Sequence, residues 1–171
     1  MIVTDILTDG LFAAIAAIGF GAISDPPLRA FPSIAILAAI GHALRFCLMT
    51  YLGVDIATAS LCASFSIGMG SLLLGKRIYC PMTVLYIPAL LPMIPGMYAY
   101  KTVFSLIMFM QNLQVPELQE MYMMNLCTNA IVTCSVIFML AVGATMPLFL
   151  FINRAFSMTR HNKKSNTYSH S

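Results

Sequence analysis

Apolar positions in this chain come in long uninterrupted runs, without the short-period alternation that marks a surface half-turned to water. The first run covers residues 6–23, the second 33–52, the third 56–74 and the last 125–152. Each is close to or above the roughly 20 residues that an α-helix needs to cross the hydrocarbon of a bilayer. The punctuation agrees with helix ends. Asp25-Pro26-Pro27 stops the first run, Pro32 opens the second as proline does at helix starts, Asp55 is placed to cap the third, and Gly75-Lys76-Arg77 closes it. The first run has no basic stretch before it and no small-residue cleavage site at its end, so it reads as a helix that stays attached rather than a secretory signal.

Residues 81–110 need a different reading. One straight helix of that length would measure about 45 Å against a hydrocarbon core of about 30 Å. Pro88, Pro92, Pro95 and Gly96 fall in the middle of the stretch, and each proline removes a backbone donor and obstructs the preceding turn. The sequence therefore predicts a short helix over 82–93, a break at Pro95-Gly96 and a second helix over 97–110. Residues 111–120 are polar and read as a loop. Pro147 is expected to kink the last helix, and residues 153–171 read as a basic, disordered tail following a membrane-spanning unit of residues 1–152.

Composition fixes the solvent. Of 171 residues, 60% are hydrophobic and 9% charged, which leaves too few polar groups to cover a soluble domain. The fold class is all-α, a polytopic integral membrane protein of about five transmembrane helices with a broken fourth segment. With five spans, Arg29, Lys76, Arg77, Arg154, Arg160, Lys163 and Lys164 gather on one side, and Asp5, Asp55, Glu117 and Glu120 on the other. Positive charge marks the cytoplasmic face, which puts the N-terminus outside and the C-terminus inside. No room remains for a soluble catalytic domain, and nucleic acid is excluded as a partner. Cys47, Cys62, Cys80, Cys127 and Cys134 form no CxxC pair and read as small, buried, free thiols, so neither a metal nor another cofactor is expected. On the third helix Ala59/Ala63, Ser60/Ser64 and Ser64/Gly68 recur at the spacing that lets helices approach closely in lipid.

Ionisable groups at membrane depth are costly and tend to face a protein interior or a watery path. His42 and Arg45, three residues apart, share a face of the second helix. Treating the first two helices as a symmetric hairpin puts Asp9 within about 5 Å of Arg45 in depth, so an Asp9–Arg45 pair is expected. Two readings of these residues stand. Arg45 snorkels to the interface while His42 is hydrogen-bonded in the bundle, or the two line a path for an anionic solute, with the imidazole able to carry protons near neutral pH. The segment around Pro92, Pro95 and Gly96 is the second candidate, because broken helices at membrane depth aim free N–H groups at anionic substrates. Lys101 adds positive charge a turn further on, and its neighbours Tyr98 and Tyr100 read first as packing or interface residues. No phosphate loop, zinc-protease motif or nucleophile elbow is present, and no nucleophile stands beside a base, so an enzyme is not expected.

Pro27-Leu28-Arg29-Ala30, then Ile40-Gly41-His42-Ala43-Leu44-Arg45 with Leu48-Met49-Thr50, then Ile87-Pro88 and Leu91-Pro92-Met93-Ile94-Pro95-Gly96 with Tyr98-Ala99-Tyr100 resemble the threonine/serine exporter family. The likeness covers residues 5–152 and is nearest to the small stand-alone, YjjB-like subunits, similar to the C-terminal half of fused exporters of the ThrE type. It implies a bacterial inner-membrane efflux system in which this subunit works with a larger YjjP-like membrane subunit. The implied substrates are small hydrophilic metabolites, either threonine and serine or dicarboxylates such as succinate, with export drawing on the proton motive force. The implication falls most directly on His42, Arg45, Pro92, Pro95 and Gly96. A non-transporting subunit that stabilises a larger membrane partner is the alternative.

Overall fold

The computed structural model describes residues 2–151, with side chains from residue 4 onward; the basic tail expected at 153–171 lies outside the described residues. Among these residues there are six α-helices, two short 3-10 turns and no strands. Helix α1 spans Ile2–Ile23, α2 Phe31–Tyr51, α3 Ile56–Ile78, α4 Met82–Leu90, α5 Gly96–Gln111 and α6 Pro116–Leu150. Four of the helices are long and apolar enough to cross a membrane, and the bent pair of α4 with its 3-10 turn and α5 makes up to five. The two arms of that pair differ in direction by 54°, so the chain keeps advancing across the bend rather than turning back.

Helix ends follow local chemistry. Asp55 caps α3 by accepting a hydrogen bond from the Thr58 N–H at 2.9 Å. At the other end α3 runs a turn past residue 74, because Lys76 and Arg77 complement the negative end of the helix dipole. It stops where Tyr79 turns left-handed at φ 53°, with the Cys80 N–H donating to the Gly75 carbonyl. The loop expected over 111–120 is shorter: α6 already begins at Pro116. Proline suits the first helical position, and Glu117 favours the positive end of the dipole, so this polar stretch is the first turns of a helix. Helix α6 has 35 residues, about 52 Å of helix, well beyond the length a bilayer requires.

Packing runs α1–α2–α3–α6–α5, with α4 lying against α1, α2 and α3, while α5 is held mainly by α6. The core is small and apolar, built from Ala17, Ile34, Leu37, Ala38, Ala63, Ile67, Leu85, Ala89 and Met93. Contact between α3 and α6 is closest where glycines stand. A Cβ on Gly68 would lie 2.6 Å from the Ala144 carbonyl oxygen, and one on Gly143 would lie 2.7 Å from the Leu61 carbonyl oxygen and clash with Ser64 Oγ. Ser64 donates to the Leu61 carbonyl on its own helix and to the Met139 carbonyl on α6, at 3.0 and 3.3 Å. The small-residue spacing read from the third run therefore marks this contact. Large apolar side chains cover the outside, Phe12, Ile23, Phe138 and Phe149 among them, as expected of a surface whose solvent is acyl chain. The cysteines differ in part from expectation. All five are free, but only Cys80 is buried; Cys47 is intermediate, and Cys62, Cys127 and Cys134 are exposed, since in a membrane chain an apolar neighbourhood includes lipid.

Two outcomes follow from these contacts. Gly68→Leu and Gly143→Val put a branched side chain against backbone, so each should lower the thermal midpoint of the detergent-extracted protein by the equivalent of at least about 1–3 kcal/mol. Gly19→Ala, where a Cβ meets nothing within 4 Å, should leave the midpoint unchanged. The hydrogen bonds from Thr58 hold the Asp55 carboxyl below its ordinary range. Its contribution is therefore complete above the unfolded carboxylate range and disappears as pH falls through the folded value. A pH series of melting curves should show Asp55→Ala less stable than the parent near neutrality, the difference closing in acid.

Candidate functional site

The ionisable residues singled out in the sequence meet at the contact between α1 and α2, beside the broken segment. A Cβ on Gly10 would lie only 3.4 Å from the Ala39 carbonyl oxygen, so the two helices approach closely one residue after Asp9. Across that approach His42 Nδ1 donates to Asp9 Oδ2 at 3.1 Å. The His42 side chain is 9% exposed and that of Asp9 41%. The expected Asp9–Arg45 pair is thus replaced by Asp9–His42. The connection between α1 and α2 includes a 3-10 turn at Leu28–Ala30, and the hairpin is not symmetric about it. The register moves by roughly one and a half helical turns and brings the imidazole, instead of the guanidinium, opposite the carboxylate.

Arg45 turns elsewhere. Its Nη1 donates to the Met93 carbonyl oxygen at 2.8 Å, reaching from α2 to the last residue of the 3-10 turn Leu91–Met93. The rest of its half-buried guanidinium makes no further hydrogen bond among the described residues. Asp9, engaged by His42, forms no ion pair with Arg45 among the described residues. The outcome is a dipolar group: a carboxylate on α1, an imidazole bound to it on α2, and a guanidinium one turn beyond, attached to the break. His42 Nε2 is buried and has no partner among the described residues. With Nδ1 donating to a carboxylate, a neutral imidazole leaves Nε2 as a lone-pair acceptor with nothing to accept.

The break has the form its prolines dictate. Helix α4 ends at Leu90, Pro92 sits at the start of the 3-10 turn, and buried Pro95 precedes the first residue of α5, Gly96. Gly96 is exposed, and a Cβ there would meet nothing within 4 Å, so the fold itself does not require glycine at this position. Lys101 is exposed on α5 with its Nζ 6.0 Å from the centroid of the Tyr98 ring. No hydrogen bond or ion pair joins it to Asp9, His42 or Arg45 among the described residues, and Tyr100 stacks on Phe104 with centroids 6.2 Å apart. The structure thus brings together Asp9, His42, Arg45 and the segment around Pro92 and Pro95, and leaves Lys101 outside. Sequence reasoning missed the Met93 carbonyl, a backbone group for which no residue type gives a signal. No cluster of three or more metal-binding side chains occurs among the described residues.

A profile described as Threonine/Serine exporter, ThrE, matches residues 9–150, a span that begins at Asp9 and encloses His42, Arg45 and the break. The chain belongs to the threonine/serine exporter family. It is a multi-pass membrane component of an exporter, of a kind that generally works with a partner subunit. No solved structure matches the chain.

The Asp9–His42 contact can be tested within the exporter subunit itself. Asp9→Leu strands a buried imidazole donor and should destabilise the extracted protein by about 1–3 kcal/mol, measured as a shift in its thermal midpoint. Asp9→Asn keeps an acceptor oxygen and should lose less.

Proposed function

We propose that this chain is the membrane component of an exporter that moves small carboxylate-bearing metabolites, threonine and serine ahead of dicarboxylates, together with a larger YjjP-like subunit. The observation that carries this reading is the dipolar group beside the break. Arg45 offers unused donors to a substrate carboxylate, and guanidinium–carboxylate pairing is bidentate and strong. Some distance away, the lone pair of His42 Nε2 and the charge of Asp9 suit an ammonium or a hydroxyl. A zwitterion satisfies both ends. A second carboxylate, as in succinate, meets Asp9 and is repelled.

In this reading the protein sits in the bacterial inner membrane with its N-terminus outside and its C-terminus in the cytoplasm, the arrangement that the distribution of Lys and Arg favours. Alternating access works around the bend between α4 and α5, as in transporters whose interrupted helices carry the substrate site. His42, held by a carboxylate and with one nitrogen free, is the group that couples export to protons. Lys101 and Gly96, on the open side of the break, supply positive charge and approach for substrate or partner.

The test is efflux of labelled threonine, serine and succinate from cells carrying the chain with its partner subunit. Threonine and serine should leave faster than succinate, and Arg45→Ala should abolish export at unchanged membrane abundance. Gly96→Leu should insert and fold normally yet export poorly, because the space it fills belongs to the transport path. Normal export from both variants would favour the alternative of a non-transporting, stabilising subunit.

A further inference from the structure

The hydrogen bonds around the break describe two competing donors for one acceptor. The Met93 carbonyl ends the 3-10 turn and accepts from Arg45 Nη1 at 2.8 Å. In an uninterrupted helix that carbonyl would accept from the N–H four residues on, which belongs to Met97. The Met97 N–H reaches no backbone acceptor across the break, whereas its neighbours are served: Gly96 donates to Ile94, and Tyr98 and Ala99 both donate to Pro95. Inside a bilayer a carbonyl must have some partner. Arg45 therefore stands where Met97 would stand, and the 54° bend persists with it.

We propose that the Met93 carbonyl is the switch point of the transport cycle: Arg45 holds it in the bent segment, and a substrate carboxylate that captures Arg45 passes it to the Met97 N–H, straightening α4 and α5 toward one axis. This rests on the reading of Arg45 as the carboxylate-binding group. A guanidinium gains more from a carboxylate than from an amide carbonyl, so the exchange runs forward when substrate arrives. Pro95 keeps it reversible, since its ring crowds the Leu91 carbonyl in any straightened helix and returns the segment to the bend when the substrate leaves. Arg45 is in this respect a positioning residue for the break as well as a contact for the solute. Binding at α2 is thereby converted into a change of angle between two arms with different neighbours.

The experiment measures that angle. With the native cysteines replaced, spin labels at Thr83→Cys on α4 and Ile107→Cys on α5 report the distance between the exposed ends of the arms in membrane vesicles that also contain the partner subunit. Threonine at saturating concentration should lengthen the distance by about 3 Å, the gain from straightening two arms of about 16 Å each. Arg45→Gln keeps an amide donor for the Met93 carbonyl but cannot pair with a carboxylate, and should stay bent with or without threonine. Arg45→Met offers neither and should show the longer distance with no ligand at all. A short distance in Arg45→Met overturns the proposal, because something other than Arg45 then holds the carbonyl. An unmutated protein that exports threonine from the same vesicles while its distance stays fixed overturns it too. Failure of the transport reading shows separately, as absence of efflux, and leaves the ligand-free comparison of Arg45→Met with the parent intact.

Discussion

A peptide carbonyl or N–H that leaves its helix inside a bilayer finds no water to take the place of its lost partner. This chain breaks a helix within an apolar segment long enough to cross a membrane, and the consequences reach well beyond the break. Pro92 and Pro95 remove donors, the chain tightens to a 3-10 turn over Leu91–Met93, and the carbonyl left over at Met93 is met by a guanidinium from another helix. Arg45 in turn is carried into the bundle, where the Met93 carbonyl satisfies part of its hydrogen bonding and a carboxylate lies across the α1–α2 contact. That carboxylate, Asp9, is shared with His42, whose burial demands a partner for at least one ring nitrogen. Each costly group is thus made affordable by the next, and the three form one electrostatic unit spanning α1, α2 and the break.

The surrounding fold supplies the rigidity that such a unit needs. Without a hydrophobic force between helices in lipid, closeness must come from small residues and from side-chain hydrogen bonds, and the α3–α6 contact uses both. Gly68 and Gly143 let the backbones meet, and Ser64 bridges them. On the other side Gly41 brings α2 against Ile67 of α3, next to Met93. The residue before His42 is therefore fixed by packing on the same α2 face that leads to the break.

Much of this was legible in the sequence, for a physical reason. Helices in lipid satisfy their own backbones, so run length, proline and glycine suffice to place them, and the break at Pro95-Gly96 was readable on those grounds alone. The start of α6 was not. The polar residues at 111–120 match a loop by composition, but a helix in a bilayer need not end where its apolar zone does, and α6 already begins at Pro116. Asp9, His42 and Arg45 were recognisable as a group because charge is so scarce here. Which of them pair could not be read, since a shift of one or two turns in a hairpin costs little in any pattern of apolar residues and decides everything for three ionisable ones. The Met93 carbonyl had no signature at all, being common to every residue type.

The length of α6 links the machine to its lipid. A rod of 35 residues cannot stand upright within a hydrocarbon layer of about 30 Å; it leans, or its polar first turns rise above the headgroups. Since α5 rests on α6, the lean of the longer helix sets the direction of the shorter one. A helix of this length ties the packing of α5 to the thickness of the layer that α6 crosses, since any lean of the longer helix is shared by the shorter one resting on it.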